Sequence, residues 1–144
     1  LTPAQIEHQP QQTLELATAA LLIEVARADF SIDANERDHL QQLLQQQFQL
    51  DPSQLNQLVA LADSEVENAS SLYQFTRLIN DHYQNSSKLI LVEQLWQVAY
   101  ADGEVSKYEE SLIRKICDLL YVAHADFIAC KHRAREKAKP HPQG

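Results

Sequence analysis

Apolar residues recur at intervals of three and four along almost the whole chain, and short polar clusters interrupt them. That spacing puts them on one face of a helix, so the chain reads as a succession of helices. From Thr13 the positions Leu14, Ala17, Leu21, Val25 and Ala28 form a stripe that Leu22 and Ile23 widen, up to Asp29. A helix apolar nearly all round its middle belongs at the centre of a bundle. Asp33 followed by Glu36 is a capping box that starts a second helix, with Leu40, Leu43, Leu44 and Phe48 facing inward. Asp51-Pro52 starts a third, marked by Leu55, Leu58, Val59, Ala62, Val66 and Ala69. A cap near Ser70 or Ser71 opens a fourth with Leu72, Phe75, Leu78, Ile79 and Tyr83, which Asn85-Ser86-Ser87 is expected to break. The fifth carries Leu91, Val92, Leu95, Trp96, Val98 and Ala99. Ser106 and Glu109 form another capping box before a sixth helix with Leu112, Ile113, Ile116, Leu119 and Leu120. Tyr121 to Ala123 separates this from a seventh, where Phe127, Cys130 and Ala134 share a face.

The pattern also repeats. A shift of 73 positions lays Val98, Ala99, Ala101, Asp102 and Glu109 on Val25, Ala26, Ala28, Asp29 and Glu36, all identities. Val105 then falls on Ile32, Ile113 on Leu40 and Tyr121 on Phe48. Two related halves follow, each a helix, an acidic turn and a helix. The expected fold is all-α, about seven helices in a compact bundle with two pseudo-symmetric helix-turn-helix halves. Residues 1–12, rich in Gln and Pro, read as a loose lead-in, 13–138 as the helical domain, and 139–144 as a fraying tail.

Composition narrows the function. With 144 residues and 44% hydrophobic content the chain is of one-domain length, and only two glycines favour long helices over β-turns. A formal charge of −8 argues against nucleic acid, which needs clustered Lys and Arg, and favours cations or a basic protein partner. Two cysteines in apolar helical patterns suit buried thiols in a reducing, cytoplasmic setting. No stretch approaches the roughly 20 apolar residues of a membrane span, so membrane association is expected only through a segment outside this sequence.

The acidic turns hold the candidate chemistry. Against an EF-hand loop, Asp102, Gly103, Val105 and Glu109 match positions 5, 6, 8 and 12, but Val98 and Tyr100 stand where ligands 1 and 3 belong. A true EF-hand is excluded. Yet Asp29 and Asp102 sit at helix carboxyl ends, where the dipole disfavours them by about 0.3–1 kcal/mol. Crowding Asp102, Glu104 and Glu109 together would cost about 4 kcal/mol per pair at 4 Å and an effective dielectric near 20. A divalent cation removes both costs, and carboxylate and carbonyl oxygens suit calcium or magnesium more than zinc. The candidate metal ligands are therefore Asp102, Glu104 and Glu109, with Asp29, Asp33 and Glu36 as the pseudo-symmetric set. Helix capping explains Ser106 and Glu109 without any ion. His124, Cys130 and His132 are zinc-ligand types better read as packing. No nucleophile–base pair is evident, so a non-enzymatic module is expected.

Ala19-Ala20-Leu21-Leu22-Ile23-Glu24-Val25-Ala26-Arg27-Ala28-Asp29, Tyr100-Ala101-Asp102-Gly103-Glu104, the glutamates seven residues after each aspartate, and His124-Ala125-Asp126-Phe127 carry a resemblance. From about Thr13 to Lys137 the chain resembles the TerB family of tellurite-resistance-associated proteins, in particular its stand-alone bacterial members. The resemblance implies a stress-associated helical bundle in which Asp29 and Glu36, and Asp102 and Glu109, hold a metal ion. Phe30 stands where the first turn would have a glycine. Similarity to the amino-terminal part of a membrane-anchored DnaJ-like co-chaperone implies, as an alternative, a protein-interaction adaptor that needs no metal.

Overall fold

The computed structural model describes residues 10–28, 34–68, 72–101 and 103–138. Among them lie seven helices and no strand: α1 (Pro10–Ala26), α2 (Ala34–Phe48), α3 (Pro52–Asn68), α4 (Tyr73–His82), α5 (Asn85–Ala99), α6 (Lys107–Leu119) and α7 (His124–Ala138). The fold is the all-α bundle expected from the periodicity.

α1 is the axis of the bundle. Ala17, Ala19, Ala20, Leu21, Leu22, Ile23, Val25 and Ala26 are fully buried, so burial runs round the helix rather than along one stripe. Four of those residues are alanines, which let neighbouring backbones approach closely. α2, α3, α4, α5 and α6 all pack against it. The second centre is the seam between α5 and α7, where buried Trp96 meets Phe127 at a ring separation of 5.1 Å. Such tilted aromatic pairs add about 0.5–1.5 kcal/mol to the area they bury.

Helix starts follow their sequence signals closely. Asp51 Oδ1 accepts from Gln54 N at 2.8 Å while Asp51 N donates to Gln54 Oε1 at 2.9 Å, and Pro52 holds the first helical position. Two boundaries differ from expectation. α1 begins at Pro10 rather than Thr13, because a proline at the first helical position loses no hydrogen bond and extends the helix by a turn. Asn85-Ser86-Ser87 is the first turn of α5, not the break before it. The break falls at Tyr83 and Gln84, both extended, with ψ of 137° and 167°. The expected caps at Ser70 and Ser71 lie outside the described residues.

Helix ends are less predictable. α2 and α6 both close by a left-handed residue that is not glycine, Gln49 at φ 53° and Tyr121 at φ 59°. In each case the next amide reaches back five residues, Leu50 N to Gln45 O at 3.2 Å and Val122 N to Cys117 O at 2.9 Å. This is the Schellman closure, and it satisfies carbonyls the helix would otherwise orphan. At α6 two side chains help: Asn80 Nδ2 donates to Leu119 O at 2.9 Å and Lys88 Nζ to Leu120 O at 3.0 Å. The end of α6 is thereby tied to α4 and α5.

Candidate cation site in the acidic turns

The second acidic turn is built by one helix stop and one helix start. α5 ends at Ala99, Tyr100 caps it through its amide to Trp96 O, and Gly103 N then donates to Tyr100 O at 2.8 Å. Gly103 has φ 97°, a conformation that L side chains rarely adopt, which is why glycine is needed here although an added Cβ would meet no atom within 4 Å. Glu104 is exposed. Ser106 (φ −72°, ψ 158°) then caps α6, its Oγ accepting from Glu109 N at 3.1 Å while Glu109 Oε1 accepts from Ser106 N at 2.9 Å. The capping box read from the sequence is present.

Burial was not visible in the sequence. Glu109 is only 2% exposed, an unusual place for a carboxylate, since a buried charge is costly unless bonded. Glu36, its counterpart 73 residues earlier, is likewise 2% exposed at the same third position of its helix. Both therefore face inward from a first turn, where the helix dipole favours negative charge. The apolar positions around them agree: Val25 with Val98, Ala26 with Ala99 and Leu40 with Ile113 are all fully buried.

Of the six candidate ligands, the structure describes Glu36, Glu104 and Glu109. Asp29, Asp33 and Asp102 lie outside the described residues. Among the described residues no three His, Cys, Asp or Glu side chains gather into a group that could hold a metal ion. Two of the zinc-type residues of α7, Cys130 and His124, are engaged otherwise. Cys130 Sγ donates to Leu89 O at 3.5 Å and receives Arg133 Nη2 at 3.3 Å, and the His124 ring stacks on Phe127 at 5.5 Å. Burial pushes the Cys117 thiol up to about 12, with Cys130 and Asp118 adding to the shift, so that thiol stays protonated and unreactive.

Sequence reasoning missed a concavity beside this turn. His39 of α2, Gln97, Tyr100 and Ala101 at the end of α5, and Ala134, Lys137 and Ala138 of α7 enclose about 260 Å³. Burial holds the His39 imidazole below its ordinary pKa, favouring the neutral ring. Three helices distant in sequence meet there, so the only local signal was a row of partly exposed residues on a mostly buried α5.

Residues 15–132 match the family described as tellurite resistance protein TerB. The chain belongs to the TerB family. The matched span of this TerB domain runs from α1 into α7 and contains both acidic turns and all six candidate ligands. It is thus a tellurite-resistance-associated helical domain. No curated protein and no solved structure matches the chain. Among the described residues no helix is long and apolar enough to cross a membrane.

Proposed function

We propose that this TerB domain is a non-enzymatic module that binds a divalent cation at its acidic turns. One observation carries the reading: Glu36 and Glu109, 73 residues apart, are both 2% exposed at the third position of a helix that directly follows an acidic turn. Solvated capping glutamates would serve a helix start equally well, so inward placement at both repeats calls for a further role. A carboxylate has about four lone-pair sites, and the bond from Ser106 N occupies one of them on Glu109, so capping and ion binding are compatible on the same side chain. Glu109 with Asp102 and Glu104 forms one set, and Glu36 with Asp29 and Asp33 the other, the two related by the internal repeat. Every donor is a carboxylate, a hard-oxygen chemistry that suits calcium or magnesium over zinc.

The test is calorimetric titration of the chelator-treated protein with calcium, magnesium, manganese and zinc, alongside thermal melts at millimolar ion. Heat of binding and a raised Tm with calcium or magnesium, both lost in Glu109→Gln, are expected. No heat with any of the four ions and no change in Tm would overturn the proposal.

A further inference from the structure

The concavity at the end of α5 is walled by residues of three helices. Gln97 and Tyr100 reach it from the close of α5, His39 from α2 and Lys137 from α7, beside the methyl groups of Ala101 and Ala134. Gln97, Tyr100 and His39 are half-buried, and no hydrogen bond among the described residues uses the side chain of any of them. Three unused hydrogen-bonding groups thus surround one space of about 260 Å³. Counted back by 73 positions, Gln97 and Tyr100 fall on Glu24 and Arg27, so the uncharged pair belongs to this end of the molecule alone.

The wall chemistry selects its guest. Lys137 carries the full charge among the described wall residues, and Glu93 already holds that ammonium at 2.8 Å. The neighbouring charges of α7 lie outside the wall: Arg133 pairs with the same Glu93 at 3.0 Å, Glu136 has an interaction of its own, and Arg135 is exposed. An added cation would meet Lys137. An added anion would meet two helix carboxyl ends, since α5 closes at Ala99 beside Tyr100 and α7 at Ala138 in the wall. The fitting guest is therefore uncharged. It also carries both donors and acceptors, because the Gln97 amide and the Tyr100 hydroxyl offer both, and burial favours a neutral His39 ring with one of each. Two flat rings in the wall, Tyr100 and His39, suit a planar molecule. The volume is just below the roughly 300 Å³ at which drug-sized pockets begin, which limits the guest to one ring or a fused pair.

We propose that this cavity binds a small, planar, uncharged heterocycle with an amide or lactam edge, the chemistry shared by pyrimidine and purine bases and nicotinamide. The Gln97 carboxamide would meet that edge with one donated and one accepted hydrogen bond, the pairing glutamine makes with adenine. Tyr100 and His39 would contact the ring, and the small side chains of Ala101 and Ala134 leave space for it. This binding needs no cation at the acidic turns.

The experiment is an NMR titration of the isotopically labelled whole chain, in chelator, with uracil, hypoxanthine and nicotinamide, and separately with acetate, methylammonium and cyclohexanol. At least one heterocycle is expected to bind with a Kd of about 1 mM or tighter, in keeping with its size. It should shift the amides of His39, Gln97, Tyr100, Ala101 and Ala134, and the order of affinity among the three separates pyrimidine, purine and pyridine sources. Between about 50 and about 500 mM salt its Kd should stay within about twofold, since the guest brings no charge to screen. Gln97→Leu, which keeps the volume but loses both hydrogen bonds, should weaken binding about tenfold. Circular dichroism checks that this variant folds, and if it does not, the shift map and salt series of the wild type decide alone. No shifts from any of the three heterocycles, shifts that fall outside the cavity, or equal or tighter binding of acetate, methylammonium or cyclohexanol would overturn the proposal. So would undiminished binding to folded Gln97→Leu.

Discussion

Glu109 is asked to serve two purposes, and three substitutions separate them. Ser106→Ala removes the hydroxyl that accepts from Glu109 N at 3.1 Å and should cost about 1 kcal/mol, the usual worth of such a cap. Glu109→Ala removes the reciprocal bond from Ser106 N, worth about 1 kcal/mol, and also the buried Cγ methylene at about 0.8 kcal/mol, so roughly 2 kcal/mol is expected. Glu109→Gln keeps the volume and an amide oxygen that can accept from Ser106 N, so in chelator it should cost less than about 0.5 kcal/mol. For a chain approaching 150 residues, each kcal/mol corresponds to about 2–4 °C in Tm. Thermal melts followed by circular dichroism in chelator should therefore rank Gln nearest wild type, then Ser106→Ala, then Glu109→Ala. Adding millimolar calcium or magnesium then separates charge from shape. Wild type gains about 2.7 kcal/mol at a hundredfold excess over Kd, and Glu109→Gln, lacking the charge, gains little. If Glu109→Gln in chelator is as unstable as Glu109→Ala, the negative charge is already structural without an ion, and the division of labour argued here is refuted.

Three further outcomes follow from the packing. Because the folded thiol of Cys117 titrates near 12 against 9.0 when unfolded, its contribution is complete below pH 9 and is lost between pH 9 and 12, by about 1.4 kcal/mol per unit. Cys117→Ala should flatten urea-measured stability over that alkaline window, and an unchanged slope would contradict it. Gln49 is exposed at φ 53°, so Gln49→Gly relieves about 1–2 kcal/mol of left-handed strain against about 0.5–1 kcal/mol of glycine entropy, a small net gain readable as a raised urea midpoint. Ala20, fully buried on α1, has no room for growth. Ala20→Leu should lower stability by about 1–3 kcal/mol, and a neutral result would mean that the packing around α1 is looser than described.

What could be read from the sequence was what local chemistry decides. The central burial of α1 followed from apolar residues on every side of it, and the starts of α3 and α6 followed from Asp51-Pro52 and Ser106, because a cap acts within one turn of the residue that makes it, while α2 begins at Ala34, where the sequence placed its start. The break before α5 was misplaced for the same reason. Asn85-Ser86-Ser87 looks like a breaker, yet small polar residues are also good first-turn residues, and nothing in the types of Tyr83 and Gln84 announces their extended backbone. Helix ends were illegible at Gln49 and Tyr121, since neither is the glycine that a left-handed closure prefers. The site divides along the same line. Glu36 and Glu109 were visible as capping partners, but their burial, which raises the question of a cation, depends on helices that arrive from elsewhere in the chain.

The two halves share their starts and differ at their ends, and that asymmetry has a physical source. Ala34 and Lys107 open α2 and α6 in the same repeat register, whereas the left-handed residues that close these helices, Gln49 and Tyr121, are 72 positions apart rather than 73. α6 is thus closed one residue earlier, and there Asn80 and Lys88 reach in from α4 and α5 to take the last carbonyls, bonds that a one-residue extension would displace. The helix starts that share this register are the ones that place the buried glutamates, and the end of α6, which falls out of register, is the one whose last carbonyls α4 and α5 take. Packing can therefore vary at the far ends of α2 and α6 while the placement of Glu36 and Glu109 is held by their first turns. A variant that restores the longer register at α6 should disturb the contacts of Asn80 and Lys88 before it disturbs Glu109.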